Sequence, residues 1–223
     1  TQRFHASQNS LAYLDDLIDF KDYRDSPPIS DPIRLLDCVI PVNGGFGMLL
    51  QHEEVLSEKP DASSIHIVGS GQCLSNAEPV EDSDLTRTGM SQAGQEAFEQ
   101  AHLEPEQIDL LQLYDDYPIM VLIQLEDLGF CEKGKGGIFV ESNSIRYDGS
   151  LPINTSGGQL SAGQSGMSGG FIGLIEGVRQ LRGTADGRQV KSADTCLVTG
   201  LGGISYDRNL QNTNLVILAK GHR

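Results

Sequence analysis

Tyr114, Asp115, Asp116 and Tyr117 put a phenol and two adjacent carboxylates at the end of an apolar run, Ile108 to Leu113. A phenol so placed can give or take a proton during bond cleavage if its pKa is lowered. Asp116 can serve as an acid or base if burial and the Asp115 charge raise its pKa. A plainer reading stands beside each. Tyr114 ends a strand and hydrogen-bonds a loop, and the two carboxylates favour the N-terminus of the helix that follows. The second chemical feature is the loop from Asn154 to Gly170, which leads into a helical pattern and carries seven glycines in the twenty residues 154–173. Glycine at that density suits backbone that passes close to a ligand or to another backbone. The helix N-terminus offers free N–H groups to an anion or a developing oxyanion; equally, the glycines let that helix pack tightly on a sheet. A third feature is Gly200-Leu-Gly-Gly203, with Tyr206, Asp207 and Arg208 just beyond it, either reaching a cleft or forming a solvated turn. The histidines His5, His52, His66, His102 and His222 fall in no motif and no metal-ligand spacing, so no metal site is expected.

The elements that must position these residues follow from periodicity. Residues 1–32 are polar and broken by Pro27-Pro28, an excursion of short helices and loops rather than core. Gly44 to Leu50 reads as a buried strand and Ser64 to Gly69 as a second; residues 74–89 read as an acidic surface loop. Ser91 to His102 predicts a helix with Ser91 as N-cap. Ile108 to Leu113 predicts a strand, Tyr114–Tyr117 a turn, and Pro118 to Leu128 a helix with proline at its first position and Gly129 as its stop. Phe171, Leu174, Ile175, Val178 and Leu181 form an apolar stripe at helical spacing. Thr195 to Thr199, ending in Gly200–Gly203, and Asn214 to Ala219 are the last strands. Strands alternating with helices imply a layered α/β fold with a mainly parallel sheet, whose ligands sit beyond the carboxyl ends of the strands. The Tyr114–Tyr117 turn, the Asn154–Gly170 loop and Gly200–Gly203 therefore converge.

Composition narrows the function. The 223 residues suffice for one sizeable core or two small ones. A formal charge of −15 speaks against nucleic acid, anionic membranes and a broad basic phosphate site. The four cysteines lie far apart without paired spacing, as free thiols in a reducing cytosol do, so a cytoplasmic protein is expected. No apolar run approaches the ~18–20 residues of a membrane span, and no signal peptide is visible. The chain begins at Thr1, without methionine, in sequence that reads as mid-domain; a fragment or processed piece is expected.

Taken in order, these segments resemble the C-terminal part of the thiolase superfamily, most closely the sterol-carrier-type thiolases and thiolase-like lipid-transfer proteins, near the steroid side-chain aldolases. Asp31 to Cys38 followed by Pro41 to Gly44 is similar to the segment that closes the family's loop domain and re-enters the core of the first half. Gln107 to Tyr117 lies where those thiolases carry a strand ending in His-Asp-Cys-Phe. Asn154 to Gly170 lies where they carry Asn-Pro-Ser-Gly-Gly and then Gly-His-Pro, and Gly200 to Gly203 matches their terminal glycine motif. The resemblance covers nearly the whole chain. It implies a layered αβαβα fold with a mainly parallel mixed sheet and an incomplete first half: residues 1–50 as its end with a loop-domain remnant, and 51–223 as the C-terminal domain.

Several positions depart from the thiolase pattern. Tyr114 replaces the first motif histidine, Asp116 its cysteine, Gln164 the histidine of Gly-His-Pro, and Gly200 a proton-shuttling cysteine. A neutral glutamine is no general base near pH 7 and cannot activate a thiol. Thiolase-like aldolases acting on steroid side-chain CoA thioesters resemble this chain at Tyr114, but carry a second tyrosine where it has Gln164. The resemblance thus implies an enzyme acting on acyl-CoA thioesters of lipid or steroid side-chain origin, by retro-aldol rather than thiolytic chemistry. Its alternatives are a silent CoA-thioester-binding, lipid-binding or scaffold subunit, and an acyltransferase whose nucleophile lies in the N-terminal half. Implied catalytic residues are Tyr114, Asp116 and Gln164, the last donating to a substrate carbonyl. Implied substrate-binding residues are Asn154, Gly157, Gly158, Gly163, Gly202, Gly203 and Tyr206. Coenzyme A arrives as thioester substrate, with no cofactor held by the chain. A homodimer formed through the thiolase halves and a small OB-fold partner are the implied assemblies.

Overall fold

Alternating apolar residues in the last two strands set the architecture, because each strand is covered on both faces. The computed structural model describes residues 1–52, 54–55, 64–74, 84–204 and 210–221. Strands β3 (Ile65–Leu74), β4 (Leu110–Gln112), β5 (Thr195–Ile204) and β6 (Leu210–Lys220) form one sheet in the order β3-β6-β5-β4. A short pair, β1 (Pro28–Ser30) and β2 (Ile33–Arg34), lies outside it. Along the main sheet Leu111, Leu197, Leu201 and Ile217 face one side, and Leu110, Cys196, Val198 and Leu218 the other. This is the period of two that a strand imposes. Helices α3 (Met90–Ala101) and α4 (Pro118–Asp127) cover the first face, and α7 (Phe171–Arg182) covers the second. The layered α/β class is therefore as expected.

The sheet is mixed, but its balance differs from expectation. Of its three pairings only β4–β5 is parallel; β3–β6 and β5–β6 are antiparallel. The reason is the short separation of β5 from β6. A parallel return needs a crossover of a dozen residues or more, so consecutive strands this close in sequence pair antiparallel.

Most helices fall where periodicity placed them. Helix α4 has Pro118 at its first position and gives way to Gly129 at φ +81°. Helix α3 starts at Met90 rather than after a Ser91 cap: the Thr88 hydroxyl accepts the Met90 N–H at 3.1 Å and itself donates to Asp127 at 2.8 Å. Gly44 to Leu50 is not a buried strand. It carries no regular element, and Leu49 and Leu50 are 82% and 68% exposed. Three glycines weaken any ladder there, and the pairing of this region is confined to a bridge between Pro41 and Gln164.

Residues 1–32 are only partly an excursion. Helix α2 (Phe20–Asp25) buries nothing, whereas α1 (Gln2–Ala6) buries His5 and Ala6 completely. The surface loop expected at 74–89 falls largely outside the described residues. All four cysteines are free thiols. Among the described residues no helix is long and apolar enough to cross a membrane.

The expected stripe of α7 only partly coincides with its buried face: Leu181 is buried and Leu174 and Val178 pack on the second face of the sheet, but the fully buried side is turned toward the glycines. Ile172, Glu176, Gly177, Gln180 and Leu181 are buried, while Phe171 is 43% exposed and Leu174, Ile175 and Val178 are half-buried. Gly173 and Gly177 cause the rotation. A side chain at Gly177 would press on the Cys196 sulfur at 2.8 Å, so the glycine side is the one that lies against the sheet.

Candidate functional site

Strand β4 stops at Gln112, and Asn154 takes over its pairing role. The Leu113 N–H donates to Asn154 Oδ1 at 2.7 Å, and Asn154 Nδ2 donates to the Leu113 carbonyl at 2.9 Å. Asn154 is buried and sits at φ +52°, a conformation asparagine tolerates better than most side chains. Its carbonyl is bonded to His5 Nδ1 at 3.0 Å, and His5 Nε2 accepts the Tyr147 N–H at 2.9 Å. Since Nε2 accepts, Nδ1 carries the proton, and burial pushes His5 down to about 4. His5 is thus a neutral clamp joining α1, the glycine loop and the segment before it. Sequence reasoning passed over it because no motif surrounds it. Asn154, expected to bind substrate, instead directs its amide at the end of β4.

Asp115 serves a helix, but not the one that follows it. Its carboxylate accepts the N–H groups of Gln159 at 2.8 Å and Leu160 at 3.4 Å, and an amide hydrogen bond from Gln2. These N–H groups belong to the first turn of α6 (Gly158–Ala162), so Asp115 caps the short helix inside the glycine loop. Burial pushes the carboxyl up to about 7, against the pull of these donors. A side chain at Gly158 would overlap the Asp115 carboxylate, one at Gly157 would meet Ala6 at 2.7 Å, and one at Gly163 would meet Val42 at 2.7 Å. These glycines were expected to touch substrate. They lie under other chain segments, and their positive φ angles of 97°, 62° and 100° give the loop its shape.

What the loop shapes is a cleft of about 680 Å³, lined by Tyr114, Gln164, Met167, Phe171, Thr199 and Asn214 among others. Gly202 also lines it, and Gly203 is the next residue of β5, which runs on through the glycine motif to Ile204. Tyr206 lies outside the described residues. The Tyr114 N–H donates to Thr199 Oγ1 at 2.9 Å, and its carbonyl accepts from Gln124 Nε2 at 2.7 Å. With the backbone held on both sides, the phenol projects to the cleft. Gln164 is placed by a bridge: its N–H donates to the Ile40 carbonyl at 2.8 Å and its carbonyl accepts from Val42 at 3.0 Å. From there Gln164 Nε2 donates to Tyr114 Oη at 3.4 Å and to Gln159 Oε1 at 3.3 Å.

The structure therefore brings Tyr114 and Gln164 together, as the sequence implied. Asp116 stands apart: its carboxylate accepts its neighbour Tyr117 N–H at 3.0 Å, and it is not among the residues lining the cleft. Its influence is electrostatic. Burial, followed by the Asp116 charge, raises the Tyr114 phenol above its ordinary value, while the Gln159 and Gln164 amides draw it partly back. Burial raises Asp116 as well. The condition named for the phenol, a lowered pKa, is not met: Tyr114 rests as a proton donor, and it is the one titratable side chain among the described cleft residues.

Beneath the loop lies a buried polar network that sequence reasoning missed. Thr155 Oγ1 donates to Glu176 at 2.8 Å, Gln112 and Gln180 each donate to Thr155 at 3.0 Å, and Arg188 meets Glu176 through two bonds at 3.0 and 2.8 Å. A glutamate on the sheet-facing side of an apolar helix was its only sequence signal. Among the described residues no group of three histidine, cysteine, aspartate or glutamate side chains is placed to hold a metal ion.

Comparison with known proteins gives consistent matches. The family described as thiolase C-terminal domain-like matches residues 71–213. An acetyl-CoA acetyltransferase of Methanothermobacter thermautotrophicus is 33% identical over 200 residues, covering 89% of this chain and 52% of that protein. A 17-hydroxy-3-oxo-4-pregnene-20-carboxyl-CoA lyase of Mycobacterium tuberculosis is 35% identical over 191 residues, covering 82% of this chain and 48% of that one. The solved structure of an Ltp2-ChsH2(DUF35) aldolase superposes with a TM-score of 0.80 at 28% identity, covering 98% of this chain and 56% of the other. The chain spans about half the length of the curated relatives it matches.

Proposed function

We infer the function from one premise: this chain belongs to the thiolase C-terminal domain-like family. On that premise the cleft takes an acyl-CoA thioester with a lipid or steroid side chain, and the chemistry is carbon–carbon bond cleavage of the retro-aldol kind. The observation that carries this reading is Tyr114, a protonated phenol at the cleft wall with Gln164 at its oxygen. In a retro-aldol step the substrate hydroxyl loses its proton, the Cα–Cβ bond breaks, and the bond's electron pair remains on Cα as a thioester enolate. The enolate must then gain a proton. Tyr114 supplies it and becomes phenolate. Asp116, a carboxylate made more basic by burial, takes the hydroxyl proton through solvent and returns it to the phenolate. Thiolysis finds less support, because a neutral Gln164 cannot activate a thiol.

The cleft also bears on partners. No lysine or arginine is among its described lining residues, and the chain carries −15 formal charge, so the coenzyme A phosphates need cations from elsewhere. A small partner protein, as in the DUF35-containing aldolase structure, is the proposed source, alongside the remainder of a longer chain. A homodimer through the thiolase halves is proposed on family resemblance alone.

One observation favours a second reading, a silent CoA-thioester-binding subunit: the only titratable group among the described cleft residues is a phenol pushed up, away from the range of a neutral-pH base. The full-length protein, with its partner, should be assayed on 3-hydroxyacyl-CoA and 3-ketoacyl-CoA substrates. Cleavage of a 3-hydroxyacyl-CoA that Tyr114→Phe lowers by ~100-fold or more supports the aldolase. Efficient thiolysis that survives Tyr114→Phe overturns it, and absence of any turnover with retained thioester binding gives the silent reading.

A further inference from the structure

Gln159 is a polar side chain, 2% exposed, in a five-residue helix whose first turn is already capped by Asp115. Its amide is not needed for that cap, since only its backbone N–H takes part. The Gln159 Oε1 atom fits because residue 169 is glycine, where any added side chain would overlap it. From that seat it accepts one proton of the Gln164 amide at 3.3 Å, while Gln164 Nε2 also donates to Tyr114 Oη at 3.4 Å.

The consequence lies in direction. An amide has a donor end and an acceptor end, and a hydroxyl takes whichever role its neighbour leaves open. With Gln164 donating, the Tyr114 oxygen accepts and its own proton is left over for the cleft. With the amide reversed, the phenol would donate to Gln164 Oε1 and the proton would be tied up. Reversal would also set two carbonyl oxygens against each other at Gln159. Resting on the retro-aldol reading, we propose that Gln159 is a positioning residue that fixes the donor end of Gln164 toward Tyr114, so that the phenolic proton is directed at the substrate.

The test uses the full-length enzyme with its partner. Gln159→Met removes the acceptor at similar volume, whereas Gln159→Glu keeps an acceptor oxygen in the same place. Gln159→Met should lower kcat by about 10-fold with KM changed by less than about 2-fold, because orientation is lost while the cleft stays open. Gln159→Glu should stay within about 3-fold of wild type, and in a Gln164→Leu background the further effect of Gln159→Met should fall to about 3-fold or less, the part owed to the Gln159 amide's own contact with the phenol. An unchanged kcat for Gln159→Met overturns the proposal. So does an undiminished loss in the Gln164→Leu background, which would mark a merely structural role. A second readout needs no turnover: the side-chain amide protons of Gln164, followed by nitrogen-15 NMR, should exchange slowly in wild type and Gln159→Glu and rapidly in Gln159→Met. Equal exchange in all three overturns the proposal even if the wild type proves to cleave no thioester, an outcome that would remove the aldolase reading separately.

Discussion

His5 and Asp115 are two of the buried titratable groups that hold the glycine loop, and their shifts oppose each other. Burial lowers His5 from 6.5 to about 4 and raises Asp115 from 3.8 to about 7. The stability tied to His5 is present above pH 6.5 and lost as pH falls to about 4, because only the unfolded chain takes up the proton. The stability tied to Asp115 is present below pH 3.8 and lost as pH rises to about 7. Between pH 4 and 6.5 the folded pair carries one proton on Asp115 and the unfolded pair one on His5, so their linkages cancel. Each variant should uncover the other slope. Relative to wild type, Asp115→Asn should gain stability as pH rises from 4 to 7, and His5→Gln should gain as pH falls from 6.5 to 4, each by at most about 1.4 kcal/mol per pH unit. Urea unfolding across that range reads both, and variant profiles parallel to wild type would contradict the assignment. Neither residue was legible as a pair in the sequence, being 110 positions apart with no shared motif.

At the scale of elements, closeness of backbone to backbone governs both what packs and what could be foreseen. Helix α3 lies on β3 where Ala93 and Ala97 face Gly69 and Gly71; a side chain at Gly71 would overlap the Ala93 carbonyl, and one at Gly69 the Ala97 carbonyl. These neighbours are backbone and cannot swing aside. Gly71→Ala should therefore destabilise the fold by about 1–3 kcal/mol or more. Gly200→Ala, though in the terminal glycine motif, would meet the tip of the flexible Asn214 amide at 2.7 Å and should cost less than about 1 kcal/mol. Chemical denaturation of both variants decides this, with equal losses counting against the contrast. The same effect explains where sequence reading succeeded and failed. Helix α4 was legible through Pro118 and Gly129, and β5 and β6 through their apolar runs. The buried face of α7 was legible only in part, through Leu174, Val178 and Leu181, because an apolar stripe predicts the whole core side only when the core needs side chains throughout. Here the sheet needed the absence of them, at Gly173 and Gly177, and a glutamate for the Arg188 network. Tyr114 and Gln164 were legible as a site through the order of the flanking motifs. Gln159 and His5 were not, since each acts through hydrogen bonds whose partners are set by the fold.

The whole molecule shows where its own surface is incomplete. Apolar side chains exposed by two thirds or more are concentrated early in sequence, with Leu11 70%, Leu17 67%, Phe20 75%, Leu49 82% and Leu50 68% exposed, and Leu74 and Met167 beyond them. The apolar stripe of α7 is better covered, with only Phe171 of it exposed, at 43%. Scattered apolar residues on a surface are ordinary, but five aliphatic or aromatic side chains exposed by two thirds or more within forty residues of sequence leave apolar area in water at a cost. Each such side chain gains roughly 1.5–3 kcal/mol when fully buried. Against this stands the −15 formal charge, which keeps copies apart at low ionic strength. The two effects respond differently to salt. Screening weakens repulsion beyond about 10 Å at 0.1 M, while apolar burial is left intact. The 223-residue chain made alone should thus be monomeric or nearly so in dilute buffer and should associate as sodium chloride rises toward ~0.5 M. Phe20→Ser combined with Leu49→Ser should shift that association to higher protein concentration by about tenfold, the equivalent of half or less of the two burials. Sedimentation velocity across a salt series gives the answer. Association that weakens with salt would mean that charge pairing joins the copies, and a monomer at every salt would mean that residues 11–50 form a self-sufficient surface that no other chain segment or partner has to cover.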